Sequence, residues 1–242
     1  LYEGPSPRNG EDNYYTTEDV YVENGNLVIR QQKREFCNGR DKRYFTSGQV
    51  ISVYPVGAGT GRLEVRGKPS TEQGFHSAYW MYDTLHWPPE IDLLEVIGTA
   101  RSQAFMAWHY GTYPDEEGVS GIWLDPQGNL NQNYHEYAVE YDPNQITWYI
   151  DGKVRFSTSQ KIDQLASMPL KVLLDTAIGG YWEGNPDDTT VFPNYNYIDY
   201  VRVYQRGGTP IIVTPRVPTS TPTIMPTPEA TATPDDAPQL PL

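Results

Sequence analysis

Cysteine is almost absent from the sequence: Cys37 is the only one among 242 residues. A single cysteine excludes an intramolecular disulfide and any zinc site built on several cysteines. The sequence also has no apolar run long enough to predict a membrane-spanning helix. Positive charge is scarce, with 18 Lys and Arg against 31 Asp and Glu. The net charge of −13 repels polyanions, so we expect neither nucleic acid nor an anionic membrane surface as a partner.

The last 36 residues contain no aromatic side chain, and they hold nine of the 21 prolines. Such a segment cannot bury enough apolar surface to offset the entropy lost on ordering. We therefore predict one folded domain over residues 1–206 and a Pro/Thr-rich disordered linker or tail over 207–242. Tails of this kind are typical of exported multi-modular proteins, which favours an extracellular or cell-surface location and a tether to another module. A disordered terminus without such a role is the alternative.

The folded part shows a two-residue hydrophobic period almost throughout. Val20–Glu23, the pair Asn24-Gly25 and the apolar run from Leu27 together predict a β-hairpin with a tight turn. More than ten short strands of this kind follow, separated by Asp, Pro and Gly turn signals, and only Lys161–Ser167 has a helical pattern. The pattern indicates an all-β sandwich or jelly roll, large enough to curve one sheet into a groove.

Three acids interrupt the most apolar strand of the sequence. Glu90 and Asp92 share one face of a regular strand, but Glu95, three residues after Asp92, would point into the core. One extra residue, a β-bulge at Leu93 or Leu94, brings Glu95 back to the face of the other two acids. Because buried carboxylates are costly, we predict that bulge and a solvated face that carries all three acids.

The predicted spacing suits catalysis by two carboxyl groups. The glutamates lie roughly 13 Å apart along the strand, and side chains that lean together can reach the ~5–5.5 Å separation of a retaining glycosidase. Asp92 lies between them, where like charges raise its affinity for a proton. The set suits a nucleophile, a general acid/base and a proton-holding group. A solvated acidic face or a cation site is the alternative.

The segment Glu90-Ile-Asp92-Leu-Leu-Glu95, preceded by Trp87-Pro-Pro, resembles the motif of glycoside hydrolase family 16, in its laminarinase-like branch. Six other blocks are similar to the family pattern in the same order, so the resemblance covers about residues 9 to 205. These blocks are Gly61–Arg66, Ala78–Met81, His135–Tyr141, Trp148–Gly152, Ala177–Gly180 and Ile198–Tyr204.

The resemblance implies a jelly-roll β-sandwich of the concanavalin A-like lectin and glucanase type. It implies endo-hydrolysis of β-1,3 linkages in a neutral, laminarin-like β-glucan by double displacement with retention. Glu90 then matches the nucleophile, Glu95 the acid/base and Asp92 the helper, and the chemistry needs no cofactor. The alternatives are an agar- or carrageenan-active hydrolase, a transglycosylase, or a carbohydrate-binding module without turnover.

Aromatic side chains are the natural platforms for sugar rings, because pyranose C–H faces stack on them. We predict that Trp80, Trp87 and Trp182 face the substrate, whereas Trp123 and Trp148 belong to the core. Strand parity places Trp80 with Tyr82, opposite Tyr79 and Met81, without deciding which pair faces the cleft.

Several polar residues complete the predicted site. Arg62, in the first block that resembles the family, is predicted to bind substrate. His109 is expected to hydrogen-bond Glu95 or Asp92 and to set its protonation. His76 and His135 are interpreted as structural.

The family's calcium site suggests a structural calcium, with Asp199 as its acidic ligand. The first strand of the family pattern has no counterpart in the sequence, which makes this site uncertain and predicts an unpaired sheet edge. The segments Tyr110–Val119 and Tyr181–Pro193 are predicted to be cleft loops that decide specificity. We expect a monomer.

Overall fold

A computed structural model of the chain describes residues 1–6, 9–39, 41–56, 60–83, 85–167, 170–205 and 211–212. These residues form two β-sheets, as the sequence predicts, and three short 3-10 helices at Thr17–Asp19, Gly98–Ala100 and Ile162–Ser167. The third of these lies within the segment predicted to be helical. Across the described ranges, no helix has the length and apolar character needed to cross a membrane.

Seventeen strands occur in the described part of the chain. In order they are β1 (Gly4–Pro5), β2 (Asn13–Tyr15), β3 (Val20–Glu23), β4 (Asn26–Asn38), β5 (Asp41–Ser47), β6 (Gln49–Ile51), β7 (Gly61–Lys68), β8 (Phe75–Asp83), β9 (Glu90–Ile97), β10 (Gln103–Thr112), β11 (Asp115–Leu124), β12 (His135–Tyr141), β13 (Ile146–Ile150), β14 (Lys153–Thr158), β15 (Leu170–Ile178), β16 (Asn194–Gln205) and β17 (Ile211–Ile212).

The strands divide between a large sheet and a six-stranded sheet. The large sheet has the order β1-β2-β5-β4-β16-β7-β12-β13-β14, with β3 beside β4 and β17 beside β16. The six-stranded sheet has the order β11-β10-β9-β8-β15-β6. Nearly all pairs are antiparallel, and strands distant in sequence are neighbours, as in a jelly roll.

One core fills the space between the two sheets, and it is built from alternate residues of each strand. On β8 this alternation sends Tyr79 and Met81 into the core. Trp80 and Tyr82 point to the opposite face, where Trp80 packs with Leu173. The open face of the six-stranded sheet is therefore aromatic, which settles the orientation that strand parity left undecided.

The predicted β-bulge lies on β9. Tyr79 of β8 pairs with Leu94, and the next residue, Trp80, pairs with Asp92, so Leu93 is the extra residue. The bulge is thus confirmed at the first of the two predicted positions. Both leucines are buried in the core, because the two residues opposite one partner at a bulge can lean to the same side.

The segment Tyr110–Val119 is not the cleft loop that the sequence predicted. β10 continues to Thr112 and β11 begins at Asp115, so only Tyr113 and Pro114 connect the two strands. Its Gly, Pro and acidic residues gave a loop signal, but the regular pairing with β10 overrides it. The second predicted loop, Tyr181–Pro193, contains no strand.

The predicted tail begins with a short piece of sheet. Ile211–Ile212 pair with Val203 and Arg202 of β16. The rest of the predicted linker, including 213–242, lies outside the described residues.

Candidate active site

A cavity of about 820 Å³ lies over the open face of the six-stranded sheet. This volume is in the range of small-molecule and oligosaccharide sites. All three acids of β9 line it, as the bulge requires. Its walls also include His76, Trp80, Tyr82, Trp87, Tyr113 and Asp175.

Glu90 is held at the start of β9 by a neighbouring tryptophan. The indole Nε1–H of Trp87 donates a hydrogen bond of 3.0 Å to Glu90 Oε2. His109 Nε2 lies 4.0 Å from the other carboxyl oxygen, because His109 of β10 is the cross-strand partner of Glu90. The indole hydrogen bond fixes the orientation of the carboxylate, which a nucleophile needs.

Asp92 is the buried member of the three acids, with 2% of its surface exposed. The prediction offered Glu95 or Asp92 as the partner of His109, and the structure places His109 Nε2 3.2 Å from Asp92 Oδ2. Across the bulge Glu95 is opposite Phe105 and not His109, so the register keeps the imidazole at the Glu90 end of the strand.

Glu95 instead contacts His76. His76 Nε2 lies 3.1 Å from Glu95 Oε1, and the histidine lines the cavity. The interpretation of His76 as structural did not include this contact with a predicted catalytic acid. The signal was in the sequence: His76 has the same strand parity as Trp80, so a cleft-facing Trp80 places His76 in the cleft too.

Two further acids lie behind His76, and sequence reasoning missed both. Glu11, just before β2, and Glu183, in the loop after β15, bring carboxyl oxygens within 4.8 Å of each other and of an imidazole nitrogen. Both are almost fully buried, and the Ser6 hydroxyl donates to Glu11. They could not be found from local patterns, because they lie 65 or more residues away from His76 in the sequence.

Burial and charge shift the proton affinities of this group. Burial raises the pKa of Glu11 to about 7, although the hydrogen bond from Ser6 lowers it. Burial also raises the pKa of Glu183, against the opposing charge of His76. For His76 burial alone lowers the pKa, but the hydrogen bond and charge of Glu95 and the other nearby carboxylates outweigh it and raise the pKa to about 9.

The shift at Glu11 predicts a pH-dependent stability. Between pH 4.5 and pH 7 the folded protein keeps a proton on Glu11 that the unfolded chain has released, so rising pH favours unfolding. We expect wild type to lose on the order of 3 kcal/mol over this interval relative to Glu11→Gln. Urea unfolding at several pH values measures the difference, with the exposed Glu116→Gln as control. Parallel stability curves for wild type and Glu11→Gln would contradict the shift.

Two of the three predicted aromatic platforms, Trp80 and Trp87, line the cavity, and the third, Trp182, lies behind His76. Trp80 stacks on Tyr82 with ring centroids 4.9 Å apart, and its Nε1–H donates to Asp175 Oδ1 at 3.3 Å. Trp87 lines the same cavity beside Glu90. Trp182 is 44% exposed and packs its ring edge against His76, with centroids 5.1 Å apart.

Tyr113 was missed as a platform because its segment was predicted to be a loop. It lines the cavity, and its ring lies 6.5 Å from that of Trp87. The two core predictions differ in outcome. Trp148 is fully buried, whereas Trp123 is only partly buried and packs against the core beneath the Arg155 guanidinium.

Arg62 does not belong to the site, so its predicted role in substrate binding is wrong. It lies on β7 of the large sheet, outside the catalytic cavity. Its guanidinium forms ion pairs with Glu64 at 2.7 Å and Glu140 at 2.9 Å. The ion pair with Glu140 joins β7 to the neighbouring strand β12, so the Arg62 charge stabilises the large sheet.

Asp199, the predicted calcium ligand, lies on β16 and forms an ion pair with Arg66. Among the described residues it joins no cluster of three side-chain ligands. Two such clusters have suitable spacing, Glu90 with Asp92 and His109, and Glu11 with His76 and Glu183. Each cluster joins one histidine with two carboxylates that can pair with it directly. Neither cluster therefore requires a metal, and we assign a metal to neither.

His135 fits the structural role predicted for it. It is buried, and its Nδ1 lies 2.8 Å from Asp151 Oδ2 in the turn between β13 and β14. This contact lies on the large sheet, away from the acids of β9.

Comparison with known proteins agrees with this geometry. Residues 9–202 match the model of the family described as glycosyl hydrolases family 16. The chain is 29% identical to glucan endo-1,3-beta-glucosidase A1 of Niallia circulans, over 81% of this chain and 32% of that protein. It is 28% identical to a beta-glucanase of Rhodothermus marinus, over 81% of this chain and 75% of that protein. The chain thus spans about a third of the length of the first of these relatives.

Solved structures give the same result for the fold. The laminarinase catalytic domain of Thermotoga maritima MSB8 superposes with a TM-score of 0.72 and 31% identity, over 81% of this chain and 84% of that one. The endo-beta-1,3-glucanase of Pyrococcus furiosus has the same TM-score at 29% identity, over 81% of each chain.

Proposed function

The chain belongs to glycosyl hydrolases family 16, and from that premise we propose that it hydrolyses β-1,3 linkages within a neutral, laminarin-like β-glucan with retention of configuration. The observation that carries the proposal is the bulge at Leu93. It sends Glu90, Asp92 and Glu95 together into one cavity whose walls are aromatic. Two glutamates on one strand, with a third acid between them, match the two carboxyl groups of a retaining glycosidase.

In the first step Glu90 attacks the anomeric carbon of the bound sugar, and the glycosidic C–O bond breaks. Glu95 gives its proton to the departing oxygen, so the leaving chain departs as an alcohol. The hydrogen bond from Trp87 holds the Glu90 carboxylate in position for the attack. The product is a glycosyl ester on Glu90, with Glu95 ionised.

In the second step Glu95 takes a proton from a water molecule, and the water oxygen attacks the anomeric carbon. The ester bond to Glu90 breaks and restores its carboxylate, so two inversions give net retention. His109 Nε2 lies 3.2 Å from Asp92 Oδ2. We assign this pair to holding a proton beside Glu90 while the Glu90 carboxylate is converted to the ester and then restored. The scheme invokes no cofactor.

The aromatic walls support a carbohydrate substrate. The stacked pair Trp80 and Tyr82 lies on the floor, and Trp87 with Tyr113 lies beside the Glu90 end. Such surfaces bind pyranose rings through their C–H faces without requiring charge on the sugar. A neutral polymer also avoids repulsion by a protein of net charge −13. The names of the relatives support a β-1,3-glucan among neutral polymers.

Release of new reducing ends tests the proposal. We expect wild type to cleave laminarin, with mixed-linkage glucan slower and agarose not cleaved, because the relatives favour β-1,3 linkages. Glu95→Gln, prepared in parallel, is the control for contaminating glucanase. Cleavage of agarose alone would replace the substrate class, and no cleavage of any of the three by folded wild type would contradict hydrolysis of these glycans.

We further propose that the protein acts outside the cell as a monomer, where its polymeric substrate is found. The Pro/Thr-rich composition of 207–242 supports a tether to another module or to the cell surface. A structural calcium with Asp199 as ligand stays a prediction. Calcium-dependent thermal stability in wild type, absent in Asp199→Asn, would support it.

A further inference from the structure

We propose that His76 is a positioning residue for Glu95: a buried imidazolium that fixes which carboxyl oxygen of Glu95 carries the catalytic proton and that promotes its release to the leaving group. The inference rests on the proposed function, because it assigns Glu95 as the acid/base. The proposal adds His76 to the acids of β9. It also predicts that His76 assists one of the two chemical steps more than the other.

The contact that carries the inference joins two neighbouring strands. His76 on β8 and Glu95 on β9 both project into the cavity, and Nε2 lies 3.1 Å from Oε1. The imidazole is held on its other side by Trp182, whose ring meets it edge to face with centroids 5.1 Å apart. A carboxylate oxygen that accepts such a bond is fixed in orientation, since the donor is itself packed.

The surroundings of His76 favour the protonated ring. Glu95 faces it from β9, Asp175 from β15, Glu183 from the loop after β15, and Glu11 from the segment before β2. Glu183 is only 1% exposed, no side chain among the described residues donates a hydrogen bond to its oxygens, and its charge is offset by His76 and by the backbone N–H groups of Trp182 and Glu183. A buried carboxylate in that state is stabilised chiefly by a proton or by an adjacent cation. His76 is the adjacent cation.

The arrangement has two chemical consequences. An imidazolium that donates to Oε1 of neutral Glu95 leaves Oε2 as the oxygen that carries the proton. The proton that Glu95 transfers to the leaving oxygen therefore has one fixed position. The positive charge also stabilises the carboxylate that forms when Glu95 protonates the departing oxygen. His76 therefore assists the first step, in which Glu95 is an acid, more than the second, in which it is a base.

The test compares substrates that differ in their need for an acid. Laminarin and an aryl β-laminaribioside with a poor leaving group need protonation, whereas a 2,4-dinitrophenyl β-laminaribioside does not. For His76→Gln we expect kcat/KM to fall on the order of 10- to 100-fold on the first two and less than about threefold on the third.

Two variants separate this role from a structural one. His86→Gln is the matched control, because His86 is 79% exposed and its contact is with Asp83 outside the cluster. It should leave kcat/KM on all three substrates unchanged. Glu183→Gln removes one negative charge that favours the imidazolium. Its effects should have the same direction as those of His76→Gln and be smaller, which tests the proposal even if His76→Gln fails to fold.

Nitrogen NMR of the wild-type histidines gives a readout that does not require activity. We expect His76 to show two protonated ring nitrogens at pH 7. A neutral ring at that pH would overturn the proposal, and so would equal losses on all three substrates. Failure of the proposed function would look different: wild type would cleave none of the glucans, while the NMR result would still stand on its own.

Discussion

Replacement of Glu90 by Gln is expected to reduce kcat/KM on laminarin by at least about 10⁴-fold, equivalent to roughly 5.5 kcal/mol of transition-state stabilisation. The amide has nearly the shape of the carboxylate, but it cannot attack the anomeric carbon. Because Glu90 faces the cavity, and because the amide oxygen can still accept the Trp87 hydrogen bond, the fold should be retained. Reducing-end release and thermal unfolding measure the two effects.

The identity of the nucleophile can be tested further with a small external anion. In Glu90→Gly, azide can occupy the vacated space and attack an activated glycoside once, which gives the α-glycosyl azide. In Glu95→Gly, azide attacks the glycosyl ester instead and gives the β-azide. Glu116→Gln on the exposed edge strand β11 is the matched control and should retain wild-type activity. Full activity of Glu90→Gln, or the same azide anomer from both variants, would refute the assignment.

Trp148→Ala is expected to cause the largest loss of stability among single core substitutions. Trp148 lies on β13 of the large sheet and is fully buried. Its indole Nε1–H crosses the sandwich and donates a 2.8 Å hydrogen bond to the main-chain carbonyl of Asp92. The substitution leaves a cavity and an unsatisfied carbonyl directly before the bulge, and we expect it to cost about 3–5 kcal/mol.

The contribution of the hydrogen bond can be isolated with Trp148→Phe, which keeps most of the ring volume. We expect a smaller loss, about 1–3 kcal/mol, together with a disproportionate fall in kcat, because the carbonyl belongs to an acid of the site. Urea unfolding and kinetics on laminarin provide both readouts. Equal stability of Trp148→Phe and wild type would show that the indole bond contributes nothing to the bulge.

The sequence predicted the parts of this protein that depend on local pattern. Period-2 alternation identified the sheets, and the Asn24-Gly25 turn is confirmed, with φ of 49° and 80°. The bulge followed from the cost of burying Glu95, a physical constraint that can be read from six consecutive residues. The prediction succeeded because the strand alone decides which face each of its acids occupies.

The errors came from interactions that join distant parts of the chain. Whether Arg62 reaches the cavity depends on the sheet to which β7 belongs, and strand order is not encoded locally. The buried acids beside His76 are likewise brought there by the start of the chain and by the loop after β15. His76 itself is the exception, because its parity with Trp80 was available.

Both glutamates lie on one interior strand, β9, which is paired on both sides by β8 and β10. The distance between them is therefore set by backbone pairing, whereas the rim of the cavity includes Trp87 and Tyr113, which lie outside that strand. Mutations at the rim can accumulate without moving one carboxyl group relative to the other. A protein built in this way can acquire activity on a new polysaccharide through substitutions at the rim of the cavity, while the two catalytic carboxyl groups keep their positions.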